Sequence, residues 1–129
     1  MATVRIDGLG QIALSVTSAQ RATAFYRDHL GLRLLFEAPP GLAFFEVSGV
    51  RLMLAEPETP SETHASSVLY FRVPDLYAAH DALSAEGVQF EGEPHVVHRA
   101  EDYELWMAFF HDGEGNMHAL MEERRRANG

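Results

Sequence analysis

The chain has 129 residues, a net charge of −9 at neutral pH and no cysteine. A chain of this length usually folds as one domain and buries about two thirds of the surface that its unfolded form exposes. The absence of cysteine excludes disulfides, and the acidic balance argues against nucleic acid as a partner. No signal peptide or apolar run of the ~20 residues that span a bilayer is visible, so we expect a cytoplasmic protein without a membrane partner. The acidic surface would favour a cationic ligand.

The first half of the chain indicates a strand, a helix and three further strands. In residues 11–16, apolar side chains alternate with polar or small ones, which predicts a half-buried strand. Ser18 is a candidate N-cap, and Gly31 is expected to end the helix that follows. Turn residues then separate three more predicted strands, at 32–37, 42–47 and 50–55.

The second half repeats this order after a polar stretch without periodicity at 57–66, which we interpret as a linker. Alternation predicts a strand at 68–73, Asp75 is a candidate N-cap, and Gly87 is expected to end the second helix. The remaining predicted strands lie at about 88–97, 104–111 and 116–122.

The repeat defines two βαβββ modules, at about 8–56 and 67–123, within a single domain of residues 1–129. The fold class is therefore α+β. Because neither module could bury both faces of its own sheet, we expect the two to pair as a curled mixed sheet around a cavity, with the helices on the outer face.

Three segments resemble the vicinal oxygen chelate superfamily, which includes glyoxalases, bleomycin-resistance proteins and dioxygenases. They are QIALSV at 11–16, ATAFYRDHLGL at 22–32 and AFFHDGEGNMHALME at 108–122, and the sequence departs from the family at Gly113, where proline is usual. The resemblance implies a glyoxalase-like fold, a small-molecule ligand and a homodimer. It leaves the reaction open, because similar domains serve as isomerases, lyases, dioxygenases and antibiotic-binding proteins.

Most enzymes of that family hold a divalent metal on four residues, and the resemblance matches these to Gln11, Met53, Val68 and Ala119. Three of the four are apolar, whereas a hard divalent ion needs oxygen or imidazole donors. We therefore predict that the family's metal site cannot form, and we expect no metal or other cofactor.

The strand registers predict which side chains line the cavity, namely Gln11, Ser15, Arg51, Met53, Tyr70, Arg72, Met117 and Met121. The resemblance adds Val68 and Ala119, as matched metal positions, and Met107 and Phe109 on a strand that is apolar on both faces. Either arginine could clamp a carboxylate or reach solvent at a strand end, and Tyr70 could donate a hydrogen bond or act as a general acid. A cavity lined with methionine would accept apolar or aromatic ligands, and ordinary core packing is the alternative.

The histidines supply the remaining candidates. His95 and His98 could contact a ligand at the cavity rim, or could hold zinc on a loop, although an HxxH spacing on a strand puts the two side chains on opposite faces. His118 is expected to be a buried structural histidine, whereas His29 and His80 are expected at the surface of their helices.

Two functions therefore stay open. The first is a metal-free protein that binds or sequesters an apolar or aromatic small molecule. The second is a lyase, isomerase or dioxygenase that works without metal or with a non-standard metal site, with Tyr70, His95 and His98 as the catalytic candidates.

Overall fold

The computed structural model describes residues 4–57 and 67–126 of the chain. The chain divides into two compact units, Met1–His64 and Ala65–Gly129. Each unit contains a four-stranded mixed sheet, and the order of strand, helix and three strands is the same in both. The predicted α+β class and the internal repeat are thereby confirmed, while the predicted linker, apart from Pro57, lies outside the described residues.

The first unit contains β1 (Gln11–Ser15), α1 (Ala19–Ala24), β2 (Arg33–Ala38), β3 (Leu42–Val47) and β4 (Val50–Ala55). Its sheet has the order β1-β4-β3-β2, with β1 parallel to β4 and the other pairs antiparallel. Ser18 is the N-cap, as predicted, because its hydroxyl accepts the Arg21 N–H at 3.1 Å. α1 continues into a π-helical turn at Phe25–His29, and Gly31 follows it with a φ of +71°, a conformation that glycine adopts without steric cost.

The second unit contains β5 (Tyr70–Arg72), α2 (Leu76–Ala85), β6 (His95–Arg99), β7 (Tyr103–His111) and β8 (Met117–Arg125). Its sheet has the order β5-β8-β7-β6, with β5 parallel to β8 and the other pairs antiparallel. Asp75 is the N-cap of α2, as predicted, and its carboxylate accepts the Ala78 N–H at 3.1 Å.

Three strands in the second unit have bounds that differ from the prediction. The strand predicted at 88–97 begins only at His95, and the earlier residues make a single bridge, between Phe90 and Phe110. The backbone turns at Gly92, with a φ of +85°, and Pro94 has no N–H to donate to a ladder. The strand predicted at 68–73 shrinks to the three residues of β5, while the final strand extends to Arg125 instead of ending at 122.

The core of each unit lies between its sheet and its helix. In the first unit, α1 packs on β3 and β4, and Tyr26 and Phe45 are fully buried there. In the second unit, α2 packs on β7 and β8, and Leu76 and Phe110 are fully buried. Burial of each such side chain contributes about 1.5–3 kcal/mol, so these contacts fix which face of each sheet the helix covers.

His80 belongs to this core, and its predicted surface position is wrong. Its side chain is buried, and its ring lies 4.4 Å from that of Phe90. The buried side of α2 therefore includes His80 in addition to the predicted positions Leu76, Ala79 and Leu83. The segment before β6 folds over the helix and contacts His80.

Both helices receive a carboxylate from the last strand of their unit or its continuation, from the residue just after β4 in the first unit and from within β8 in the second. Glu56 accepts the Ala19 N–H at 2.8 Å, and Glu122 accepts the Leu76 N–H at 2.7 Å. An anion at a helix N-terminus satisfies an unpaired amide and complements the helix dipole. Glu122 also accepts from the Arg124 Nε at 3.0 Å. The same contact in both units is an element of the internal repeat that the sequence reading did not include.

Candidate ligand-binding faces

Each sheet has one face against its helix and one face turned away from it, which we call the distal face. Residues that pair across neighbouring strands share a face, so the register defines its members. In the first unit, the pairs Gln11–Arg51, Ala13–Met53 and Ser15–Ala55 lie on the distal face. All four residues that alternation selected in this unit therefore share it, namely Gln11, Ser15, Arg51 and Met53.

The side chains on the first distal face contact one another. The Gln11 amide donates to the Met53 thioether with an N–S distance of 3.9 Å. The Arg51 guanidinium lies 5.9 Å from the centre of the Phe44 ring, and that ring stacks on Phe36 at 4.5 Å. The face thus combines polar side chains with an apolar, aromatic cluster. The sequence analysis missed both phenylalanines. Phe44 lies on β3, which is apolar on both faces, and Phe36 follows a register shift in β2, so alternation orients neither.

The second distal face brings together the larger set of candidates. β5 and β7 pair with β8 so that one face carries Tyr70, Arg72, Met107, Phe109, Met117, Ala119 and Met121. Met107 pairs directly with Met121, so the two share this face. Val68 lies just before β5, outside the strands, and is exposed.

An aromatic pair crosses the centre of this face. Ala119 pairs with Tyr70 on one side and with Phe109 on the other, and the two rings meet edge to face at 6.4 Å. The small alanine side chain leaves room for the rings to meet above it, and Ala119 itself is fully buried. Tyr70 is 51% exposed and Met117 is 38% exposed, so large apolar side chains at this face remain accessible.

His95 and His98 also lie on the second distal face, and the expectation that they point to opposite faces is wrong. His95 pairs with Met107 and His98 pairs with Leu105, and the register shifts by one residue between Val96 and His98. This β-bulge inserts Val97 as an extra residue and cancels the alternation that would have separated the two rings. The His95 ring lies nearly parallel to that of Phe109, with centres 6.3 Å apart.

The geometry of His95 assigns its proton. Its Nδ1 lies 3.0 Å from the Glu93 carbonyl oxygen, which can only accept a hydrogen bond. Nδ1 therefore carries the hydrogen, and Nε2 of the neutral ring holds the lone pair. In this form Nε2 can accept a hydrogen bond or a proton from a bound molecule.

His118 lies on the opposite, helix-covered face, and its predicted structural role is confirmed. It is fully buried, and its Nδ1 accepts the Leu69 N–H at 3.1 Å. Burial lowers the pKa of His118, an effect that the negative charge of Asp112 partly opposes. The histidine therefore joins the start of β5 to β8 in its neutral form.

Two of the four positions matched to the family's metal ligands lie in each unit. Gln11 contacts Met53 in the first unit, and in the second Ala119 donates its N–H to the carbonyl of Leu69, the residue after Val68. Within 4–57 and 67–126, no three His, Asp or Glu side chains are grouped so as to hold a metal ion.

A cleft of about 450 Å³ lies at the end of β5 and is lined by Arg72, Val73, Pro74, Glu122 and Glu123. The two carboxylates that line the cleft have different surroundings. Glu122 is held by the Leu76 N–H and by Arg124, whereas Glu123 is exposed on the distal face. The cleft is a feature of the second unit that alternation along a single strand could not indicate, because the lining comes from two strands and a loop.

The chain matches a family model and a curated protein in sequence. The model of the Glyoxalase/Bleomycin resistance protein/Dioxygenase superfamily matches residues 8–117. The uncharacterized protein YraH of Bacillus subtilis (strain 168) is 27% identical over 120 residues, which cover 83% of this chain and 91% of that protein.

Two solved structures illustrate the range of functions among proteins with this fold. Lactoylglutathione lyase from Agrobacterium tumefaciens has a TM-score of 0.71 at 21% identity, over 92% of this chain and 95% of that one. TnmS3, an antibiotic binding protein from Streptomyces sp. CB03234, has a TM-score of 0.70 at 21% identity, over 92% of this chain and 98% of that one.

Neither helix in the described part of this chain is long and apolar enough to cross a membrane.

Proposed function

Because the chain belongs to the Glyoxalase/Bleomycin resistance protein/Dioxygenase superfamily, we propose that it is a metal-free, cytoplasmic protein that binds an apolar or aromatic small molecule. The second distal face is the principal binding surface. The first distal face, with Gln11, Ser15, Arg51 and Met53, is a further surface of the same kind. The antibiotic-binding function of a structural neighbour supports this class of activity.

The observation that carries the proposal is the accessible aromatic pair of Tyr70 and Phe109, flanked by Met107, Met117 and Met121. Aromatic rings offer large, rigid apolar area, and methionine is unbranched and polarisable, so it adapts to ligands of different shape. Tyr70 also supplies a hydroxyl that can orient a polar group of the ligand.

The direct test is calorimetric titration with 2-naphthylmethanol, a neutral aromatic probe. We expect saturable binding that Tyr70→Ala weakens about 10-fold, since truncation of a central aromatic contact costs more than ~1 kcal/mol. Tyr77→Ala is the matched control, because Tyr77 is an exposed tyrosine of the same unit that packs against Trp106 on the helix-covered side. Equal affinities for the two variants would overturn this placement.

Replacing Met53, Met117 or Met121 singly by leucine is expected to change ligand affinity or the ranking of ligands. The volume is nearly conserved, so each change should cost less than about 1.5 kcal/mol of stability. Melting curves and titrations with a series of aromatic probes measure the two effects separately. If the probes bind all three folded variants as they bind the parent protein, these methionines serve packing alone.

Purified protein is expected to contain no stoichiometric divalent metal, because Met53, Val68 and Ala119 stand at the matched ligand positions. Elemental analysis for Mn, Fe, Ni and Zn is the measurement. About one ion per chain that is lost on Gln11→Ala would contradict the proposal.

A homodimer is part of the same proposal. β2 is an edge strand of its sheet, and its exposed side chains include Leu35 and Phe36. A two-fold pair would cover such an edge with a second copy of itself. Sedimentation at micromolar concentration should show the dimer, and monomer alone would count against it.

A catalytic function is the second candidate, and the geometry of His95 favours it. Nε2 of His95 is a proton acceptor on the face that also carries Tyr70 and His98. A base and a phenol on one face could move protons in a lyase or isomerase reaction. Turnover of thiol adducts or 2-oxo compounds that His95→Gln abolishes, with Tyr77→Ala unaffected, would establish this function in place of simple binding.

A further inference from the structure

The charge on the second distal face differs from that of the chain. Among its strand residues, Arg72 and Arg125 are cationic and Glu123 is anionic. The chain as a whole carries −9. Net charge therefore predicts a cationic ligand, whereas Arg72, the charged side chain in the row of Met121 and Met107, favours an anionic one. Local charges decide the preference, because interactions between exposed charges are screened beyond about 8–10 Å in physiological salt.

Arg72 is placed to receive an anion. It lines the cleft of about 450 Å³ at the end of β5. Arg27, Arg99 and Arg124 make ion pairs with acidic side chains, whereas Arg72 makes none within the described ranges. A guanidinium offers a planar fork of donors that matches a carboxylate with two parallel hydrogen bonds.

An apolar strip of the distal face, formed by Met121 and Met107, begins directly beside this arginine. Arg72 pairs with Met121, Met121 pairs with Met107, and Met107 pairs with His95, so one row crosses all four strands. The aromatic pair of Tyr70 and Phe109 forms the adjacent row. A molecule anchored at Arg72 would thus lay its apolar body across two methionines and beside two rings.

The two acidic residues of the cleft differ in how strongly they would disfavour an anion bound at Arg72. The carboxylate of Glu122 already accepts from the Leu76 N–H and from Arg124. Glu123 lies two residues beyond Met121 on β8 and pairs with Leu105, outside the row that contains Arg72. The negative charge of Glu123 disfavours an anion bound at Arg72. Glu123 nevertheless lies outside the row that contains Met121 and Met107, on which the apolar body of the ligand would rest.

We propose that the ligand of the second distal face is an aromatic or extended apolar carboxylate, with its anionic group on Arg72 and its body on Met121 and Met107. This assignment rests on the proposed binding function and names the class of ligand. It also reverses the expectation from net charge that the ligand is a cation.

The test uses three probes that share one ring system and differ in charge: 2-naphthoate, 2-naphthylmethanol and 2-naphthylmethylammonium. We expect the parent protein to bind the carboxylate at least about 10-fold more tightly than the ammonium, the value of one charge-assisted hydrogen bond. Arg72→Gln should weaken binding of the carboxylate about 10-fold and leave the alcohol within about twofold.

Two control variants separate a local anchor from a general charge effect. Arg125→Gln removes the same charge from the same face, and it should change affinity for the carboxylate by less than about threefold, because the charge is exposed and screened. Glu123→Gln should strengthen binding of the carboxylate. If Glu123 anchors a cation instead, this change will weaken binding of the ammonium.

The outcomes distinguish the two proposals. If the alcohol does not bind, the proposed function fails and this inference fails with it. If the alcohol binds but the ammonium binds more tightly than the carboxylate, or Arg72→Gln and Arg125→Gln have equal effects, only the carboxylate assignment is overturned. Circular dichroism melts confirm that each variant is folded before titration.

Discussion

Replacing Asp112 by alanine is expected to lower the free energy of unfolding by about 3 kcal/mol, the largest effect we expect from one substitution outside the apolar cores. Asp112 is only 3% exposed. Its carboxylate accepts the backbone N–H groups of Glu114 and Asn116 at 2.7 and 3.1 Å, and the Asn116 side chain at 2.8 Å. Alanine would leave these donors buried in the turn between β7 and β8.

Chemical denaturation measures this loss, and Asp102→Ala is the matched control. Asp102 is an exposed aspartate in the turn before β7, where its backbone carbonyl accepts the Arg126 N–H. Its substitution should change stability by less than about 0.5 kcal/mol. An equally small effect at Asp112 would mean that the turn does not depend on this carboxylate.

Acidification is expected to destabilise the second unit through His118. Burial lowers its pKa below the ordinary value of about 6.5, so the unfolded chain binds the proton more readily than the folded chain. Stability is fully present above about pH 6.5 and declines as the pH falls from there towards the lowered pKa of the folded state. The proton would place a charge on a buried ring, and on Nδ1 it would also face the Leu69 N–H and break that hydrogen bond.

Thermal melts between about pH 7.5 and 5 test this, with a slope of up to about 1.4 kcal/mol per pH unit from this one group. His118→Asn can keep an acceptor for the Leu69 N–H but cannot titrate, so its melts should depend less on pH. His98→Asn replaces an exposed histidine and should retain the pH dependence of the parent. Parallel pH profiles for the parent and His118→Asn would assign the acid sensitivity to other groups.

The repeat and most of its strands follow from the sequence because they depend on local signals. Ser18 and Asp75 cap their helices, and strict alternation orients β1, which pairs with β4. The same signals placed Tyr70, Arg72 and the methionines of the final strand on one face before any packing was known. Their binding roles stay predictions until a ligand is tested.

What the sequence could not predict depends on tertiary contacts and on one inserted residue. Val97 leaves the ladder in a bulge, which moves His98 to the face of His95, and no residue type in that segment requires it. His80 is buried because the segment between α2 and β6 brings Phe90 onto it. The meeting of Tyr70 and Phe109 above Ala119 needs three strands in register, and a pattern along one strand does not contain that register.

The most direct test of the central claim is NMR of methionine methyl groups during titration with 2-naphthylmethanol. Four of the five methionines are internal, and their methyl signals can be assigned by single substitutions to leucine. We predict saturable shifts at Met107, Met117 and Met121. Binding that saturates while those three signals stay in place would contradict the assignment of the second distal face as the ligand-binding surface.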